Sequence, residues 1–352
     1  MCNTTILPIP GYAKALMGLS ASTNSSRSPP SSASVPHKHV VILIGLPASG
    51  KSTVAEHLTR FLAIDNRTNT IRCRIFNAGD YRRMASKTTM AIPSSSKDDL
   101  FSPRNSKKKD RFARLAFTDA LRALDEDVCD LSVFDATNST VERREYLFRE
   151  IEMFNAAAHS RCIIHPLVLH VTCTDKHMVR FNIHRKAYNS DYADKVYDLS
   201  VKDFVHRLQQ YQTQYVPYTV SEYYRYANGK QVARAQQTYG SFYFHVGNAG
   251  LSPQCNILNF TPRVSDETTT LVKTIAFFTM HYREMYGKPY ISTVNAFFSV
   301  QRTLKNNGLN LGKTKEKLHH LVLLRKVIDA SFVRSMGDLV NSGSITYSRK
   351  NC

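Results

Sequence analysis

No apolar run in the 352 residues approaches the roughly 18 needed to cross a bilayer, so no membrane span is expected. No C-x-x-C pair occurs among the seven cysteines. An odd number without that spacing fits neither a disulfide framework nor a structural zinc site, and a reducing, cytoplasmic setting is expected. The N-terminus lacks a basic start, and Pro8, Pro10 and Gly11 interrupt its apolar part, which argues against a secretory leader. Acidic residues are scarce, 28 against 47 lysines and arginines, for a formal net charge of +19. Such an excess favours polyanionic partners (nucleotides, sugar phosphates, nucleic acid or an acidic membrane) without choosing among them. No internal repeat is present. With 42% apolar residues the chain has material for one large globular domain or two modest ones, and a soluble protein is expected.

What is present is organised around residues 39–62, HVVILIGLPASGKSTVAEHLTRFL. Gly45, Leu46, Pro47, Ala48, Ser49, Gly50, Lys51 and Ser52 fit G-x-x-x-x-G-K-[ST] at every fixed position. The apolar run 40–44 predicts a strand buried on both faces, and Val54, Leu58, Phe61 and Leu62 recur at helical spacing behind the loop. Strand, loop and helix agree on a phosphate-binding loop. Its backbone N–H groups and the helix N-terminus would cradle an anion, with Lys51 on the β- and γ-phosphates and the Ser52 hydroxyl able to ligate Mg²⁺.

Before this stretch, residues 1–36 carry a Ser/Pro-rich tract that cannot bury enough apolar surface to order itself, and a disordered arm is expected. After it, a strand over 71–76 empties into Asn77-Ala78-Gly79-Asp80-Tyr81-Arg82-Arg83, where a phosphate-gripping arginine pair and a solvated basic turn are both open readings. Residues 87–106 read as a polar mobile loop, followed by a helix marked by Phe112, Leu115, Ala116, Ala120, Leu121 and Leu124, with Arg111 near its start. A strand over 131–134 ends at Asp135-Ala136-Thr137-Asn138, and the capping-box pattern Ser139-Thr140-Val141-Glu142 starts the next helix. Open α/β sheets bind ligands off the carboxyl ends of their strands, so this acid falls on the same rim as the phosphate loop. A strand over 166–173 leads through Thr174-Asp175 into a helix bearing Arg180, Asn182, Arg185 and Lys186. A helix over 201–211 sets Arg207 and Tyr211 four residues apart on one face. Residues 212–234 are tyrosine-rich and unplaced; 239–246 predicts a last strand. Then come a helix over 271–286 stopped by Gly287-Lys288-Pro289, and one long helix over 313–340 whose apolar face holds Leu318, Val322, Leu323, Val327 and Phe332.

Taken in order, GLPASGKS, N-x-G-x-Y-R-R at 77–83, and FDATNST at 134–140 followed by Glu142-Arg143-Arg144 resemble the kinase domain of 6-phosphofructo-2-kinase. The likeness continues through Cys173-Thr174-Asp175, residues 182–186, Ser190-Asp191-Tyr192, and Asp203-Phe204 with Arg207 and Tyr211, over roughly residues 38–250. The resemblance implies an α/β P-loop kinase fold, a mainly parallel sheet with helices on both faces. It implies transfer of the ATP γ-phosphoryl group to the C2 hydroxyl of fructose 6-phosphate, giving fructose 2,6-bisphosphate, a regulator of glycolysis. The expected domains are a disordered arm (1–36), the kinase-like domain (37–264) and a helical C-terminal extension with a basic tail (265–352).

By the same resemblance, Lys51, Asp135, Lys186 and Cys173 are the catalytic candidates, and Ser52 with Asp135 the metal ligands. The residues from Gly45 through Thr53, with Asn182, bind ATP. Arg82, Arg111, Thr137, Arg143, Lys186, Arg207 and Tyr211 bind the sugar phosphate. ATP and Mg²⁺ are the implied cofactors and fructose 6-phosphate the partner, with no nucleic acid and no membrane; a homodimer is left open.

This chain also departs from the pattern. Ser49 stands where the family loop usually carries arginine, and the span from Cys173 to Asp191 is one residue short, which leaves Lys186 and Arg185 as alternatives. Assigning Arg111 requires a gap in the poorly matching segment 87–106. Whether Cys173 is catalytic or only packs stays open. No Arg-His-Gly occurs, so the histidine-phosphatase activity of many relatives is not expected. Two other readings remain: a polynucleotide-kinase-like phosphotransferase, since a strand ending in D-x-T-N and a positive charge would suit it, and a nucleotide-binding regulator without catalysis, which joint retention of Lys51, Ser52 and Asp135 disfavours.

Overall fold

Residues 40–44, apolar without interruption, have at most 1% exposure, the burial expected of a strand covered on both sides. They lie in a computed structural model that describes residues 35–88, 106–227, 230–232, 237–252, 255–258, 264–303 and 311–342. The strands are β1 (His37–Ile44), β2 (Cys73–Asn77), β3 (Leu131–Asp135), β4 (Ile163–Thr172), β5 (Lys230–Val232), β6 (Gln237–Tyr239), β7 (Phe242–Gly247) and β8 (Asn256–Ile257). The α-helices are α1 (Lys51–Ile64), α2 (Ala78–Thr88), α3 (Ser106–Asp125), α4 (Val141–Ala156), α5 (Lys176–Lys186), α6 (Tyr197–Gln214), α7 (Val220–Ala227), α8 (Asp266–Met280), α9 (Lys288–Thr303), α10 (Leu311–Val327) and α11 (Ala330–Asn341).

The main sheet runs β2-β3-β1-β4-β7-β8, parallel except for β8, which pairs antiparallel with β7; β5 and β6 form a separate antiparallel ribbon. From β1 the chain crosses first to the β3 side and later to the β4 side, so the two sets of crossovers part at the carboxyl end of β1. That crevice holds the phosphate-loop sequence. On one face of the sheet Val40, Ile42, Ile44, Phe134, Ile164 and Val168 pack with apolar residues of α3, α4 and α7. Alternation along a strand turns Val41 and Leu43 to the other face, and both are buried there. Helices α1 and α8 pack together through Phe61, whose ring centroid lies 5.4 Å from Phe278 and 6.4 Å from Phe277. The expected α/β class, a mainly parallel sheet flanked by helices, is the observed one. A second apolar cluster joins Leu46, Met178, Phe181 and Leu208 to Val294, Phe297, Leu321, Leu324, Phe332 and Met336 of the C-terminal helices.

Several local expectations change. The expected 71–76 strand begins at Cys73, and residues 78–83, open in sequence to both an arginine grip and a solvated turn, form the start of α2. The cap of α4 is Thr140, which accepts from the Arg143 amide, so the S-x-x-E pattern beginning at Ser139 is not the one used. Leu115 and Val322, read as core-facing, are 46% and 55% exposed. Gly287-Lys288-Pro289 does not stop the chain: a π-helical turn (Arg283–Gly287) runs into α9, with the Lys288 amide donating to the Arg283 carbonyl just before Pro289, which has no amide hydrogen to leave unpaired. The expected helix over 313–340 is two, because Asp329 accepts from the Phe332 amide at 2.8 Å and caps α11. The N-terminal arm up to residue 34, residues 89–105 of the expected mobile loop and the tail from 343 onward lie outside the described residues.

Arg144 and Glu222 form a charged pair buried in this scaffold. Arg144, fully buried, donates from Nε to Glu222 Oε1 (2.6 Å), from Nη2 to Oε2 (2.7 Å), and from Nη1 to the carbonyls of Asn138 (3.1 Å) and Val216 (3.0 Å). It therefore ties α4 to α7 and to the tip of β3. Glu222→Ala, which strands the guanidinium in a dry interior, is expected to lower stability by about 3–5 kcal/mol in denaturant unfolding, whereas the apolar double change Arg144→Met with Glu222→Leu should recover most of that loss.

Candidate active site

The loop's shape follows from three unusual backbone positions. Gly45 has φ 148°, and a Cβ there would lie 2.2 Å from the Val171 carbonyl oxygen, so only glycine fits against β4. Its N–H donates to the Thr137 carbonyl at 3.2 Å, which holds the loop to the tip of β3 as well. Ala48 (φ 60°) and Gly50 (φ 99°) take the left-handed conformation. Gly50 is the N-cap of α1 and gives no side-chain cap, so the helix presents its first amides to whatever anion approaches. Ser49 Oγ is buried without a hydrogen-bond partner in this same turn, a donor aimed at nothing the protein supplies. Lys51 Nζ donates to the carbonyls of Gly45 (2.9 Å) and Leu46 (2.8 Å). Burial pushes its pKa down to about 8; Asp135 opposes the shift, and Lys186 and Arg207 add to it. Thr53 is exposed on the first turn. Each of these features suits a polyphosphate.

Beside the loop, Ser52 Oγ donates to Asp135 Oδ2 at 2.6 Å, and Asn77 Nδ2 donates to the same oxygen at 2.9 Å. The register explains the second contact, since Asn77 and Asp135 are level across β2 and β3. Asn138 (φ 46°) donates to the Leu43 carbonyl at 2.7 Å and completes the tie between the strand tips. A hydroxyl next to a buried carboxylate is a hard-oxygen pair. Two protein oxygens are few ligands and leave most of a coordination sphere to waters and phosphate oxygens, so Ser52 and Asp135 fit an ion that keeps such ligands, as Mg²⁺ does.

Facing this pair is a cationic wall. Arg82 Nη2 lies 2.5 Å from Asp191 Oδ2, with Arg83 at 3.8 Å and Arg207 at 3.9 Å from the same carboxylate. Burial raises the Asp191 pKa, but the three guanidinium groups outweigh it and hold the carboxyl below its usual range. Lys186 is partly buried, its pKa lowered first by burial and then by Arg207 and Arg83 against the pull of Asp135 and Asp191; Arg185 is exposed. Of the two alternatives, Lys186 is the one that interacts electrostatically with Asp135 and Asp191. Arg143 is paired with Asp110 at the start of α3, and Tyr211 is charge-coupled to both Arg143 and Arg207. Thr137 contributes the carbonyl that receives the Gly45 amide. Arg111 lies exposed on α3.

Asn182 touches the loop, donating to the Ala48 carbonyl at 2.8 Å and to Cys173 Sγ at 3.8 Å. Burial pushes the Cys173 thiol up to about 12, which keeps it protonated at neutral pH. Three residues of this constellation were not singled out from sequence: Asn77, Asp191 and, on α9, Tyr290, whose hydroxyl donates to Asn182 Oδ1 at 2.7 Å. The first two sit inside recognisable motifs, where their level with Asp135 or with the arginines was the missing signal. Nothing in sequence spacing relates Tyr290 to Asn182.

The 6-phosphofructo-2-kinase family model matches residues 28–239. The chain belongs to the 6-phosphofructo-2-kinase family. It is 32% identical over 192 residues to 6-phosphofructo-2-kinase 1 of Saccharomyces cerevisiae, covering 54% of this chain and 22% of that protein. It is 31% identical over 189 residues to the 6-phosphofructo-2-kinase/fructose-2,6-bisphosphatase of Caenorhabditis elegans, covering 52% of this chain and 38% of that one. The chain thus spans well under half the length of these curated relatives. Among solved structures, a fungal RNA kinase aligns over 84% of this chain and 99% of its own at 12% identity with a TM-score of 0.34, too distant to bear on fold or substrate.

Within this family member, the depressed Lys51 pKa makes a pH prediction. The ammonium is lost as pH rises through about 8, so affinity of the free protein for a nucleoside triphosphate is expected to fall over that interval. Titration with a fluorescent nucleotide across the alkaline range checks it, and a flat profile would contradict it.

Proposed function

We propose that this chain transfers the γ-phosphoryl group of ATP to the C2 hydroxyl of fructose 6-phosphate, forming fructose 2,6-bisphosphate. The observation that carries the proposal is the meeting of Lys51, Ser52 and Asp135 at one sheet edge opposite Arg82, Lys186 and Arg207, within the region matched by the family model. Phosphoryl transfer asks a protein for positioning and for neutralisation of charge on the transferred group more than for covalent chemistry. This set of groups supplies both.

In this reading Lys51 exchanges its two loop carbonyls for β- and γ-phosphate oxygens, while the amides at the start of α1 hold the remaining charge. Ser52 and Asp135 would hold Mg²⁺, which when bound neutralises the phosphate oxygens around the reacting phosphorus. Asp135 also takes the proton of the acceptor hydroxyl. Arg82, Arg143, Arg207 and Tyr211 receive the 6-phosphate, with Thr137 beside the sugar and Arg111 approaching from α3. Lys186 stands between the two halves and stabilises the group in transit. Asn182 holds the nucleotide loop, and Cys173 acts by packing against it.

No histidine-phosphatase activity is proposed, since these 352 residues hold no Arg-His-Gly. The proposed setting is cytoplasmic, in keeping with an odd set of cysteines without C-x-x-C spacing. No helix among the described residues is long and apolar enough to cross a membrane.

The direct test is incubation with MgATP and fructose 6-phosphate and assay for an acid-labile bisphosphate, because a phosphate on the anomeric C2 hydrolyses in mild acid and one on C1 does not. Phosphorylation of an oligonucleotide instead would favour the polynucleotide reading; MgATP binding with no product would favour a regulator. Lys51→Met is expected to lower kcat by roughly 10²-fold or more without changing the melting temperature. Arg207→Ala should raise the KM for fructose 6-phosphate by about tenfold with a smaller change in kcat, and an unchanged KM would remove Arg207 from the phosphate site.

A further inference from the structure

The region that matches the family ends at residue 239, yet the phosphate loop is braced by helices that come after it. Ala48, at the tip of the loop, holds a left-handed conformation that a residue with a Cβ adopts only when its surroundings impose it. Its carbonyl is taken by Asn182 Nδ2 of α5 at 2.8 Å. The other polar end of that amide, Oδ1, accepts from the Tyr290 hydroxyl of α9 at 2.7 Å.

We propose that Tyr290 is a positioning residue for the nucleotide loop, acting through Asn182. An amide side chain can present either its N–H₂ or its oxygen to a neighbour, and a carbonyl neighbour tolerates only the first. By donating to Oδ1, the Tyr290 hydroxyl selects the orientation in which Nδ2 faces Ala48. With that donor gone, the amide is free to turn its oxygen toward the Ala48 carbonyl, and the clamp on the loop tip weakens.

Tyr290 is itself held for this task. Its ring packs edge-on against Phe181 at 6.0 Å, and Phe297 of the same helix packs against Phe181 at 5.3 Å. Burial raises the pKa of its hydroxyl, which stays a donor through the physiological range. The remaining C-terminal helices grip the same support. Arg180 of α5 donates twice to the Ile328 carbonyl, at 2.9 and 2.7 Å, and Met336 and Val340 of α11 line a small cavity behind the loop with Leu46, Pro47 and Ala48.

The inference rests on the reading of the loop as an ATP site, and the experiment separates the two. In the full chain, Tyr290→Phe removes only the hydroxyl. The Kd for MgATP measured without sugar phosphate, and the KM for MgATP, are expected to rise about fivefold to tenfold, the worth of one hydrogen bond of this kind. The KM for fructose 6-phosphate and the melting temperature should stay at the wild-type values. Asn182→Ala should reproduce the loss, and the double variant should be no worse than Asn182→Ala alone. Ser292→Ala, on the exposed side of α9, serves as the control and should change none of these quantities. Unaltered MgATP affinity in Tyr290→Phe overturns the proposal, as does a fully additive double variant or a fall in melting temperature with both KM values raised together. Failure of the wild-type chain to bind MgATP overturns the ATP reading first and this one with it.

Discussion

The close approach of Gly45 to the Val171 carbonyl is the constraint on which the site depends. A single missing side chain lets the loop lie against β4, while the Gly45 amide is committed to the carbonyl of Thr137 beyond β3. The loop is thereby pinned to both neighbours of β1, and α1 starts at a defined height above the sheet. Only from that height does Ser52 reach Asp135, and only because β2 and β3 are in register does Asn77 reach the same oxygen. Preorganisation of this kind fixes the donors before any ligand arrives, which is what lets electrostatic stabilisation work without a reorganisation cost.

A net charge of +19 would repel itself if left uncompensated, and the structure shows how much of it is matched. Lys38 and Arg72 share Asp127 and Asp130 far from the loop, and Arg144 is consumed by Glu222 in the core. In the site the matching is looser, with Asp191 serving three arginines and Asp110 serving Arg143 and Arg114. A carboxylate spread over several guanidinium groups keeps them together without saturating them, so the cluster stays receptive to a phosphate.

Short-range chemistry was readable from sequence. The P-loop, the buried strands, Asp135 at a strand end and the helix that opens after Thr174-Asp175 all depend on residues within a few positions of one another, and the sheet order then brings Lys51, Asp135, Lys186 and Arg207 to one edge. What failed was of two kinds. Boundaries slipped where two caps competed, as Thr140 did with Ser139, or where a single aspartate, Asp329, divides one apolar periodicity into two helices. Contacts between distant segments left no periodic trace: Tyr290 on Asn182 spans 108 residues, and Asp191 joins Arg82 across 109. That Lys186 lies inward near Asp135 while Arg185 is exposed follows from the rotation of α5 in its packing, which composition does not encode.

The second apolar cluster crosses the line where the region matched by the family model ends. Leu46, Met178, Phe181 and Leu208 lie on the matched side of that line, Val294, Phe297, Leu324 and Met336 on the other, and they share one dry interior. A chain cut after residue 239 would leave that interior half-open to water, with the reverse side of the phosphate loop as part of the wound. Where ancestry is detectable and where the polypeptide becomes a self-sufficient body are, in this molecule, different addresses.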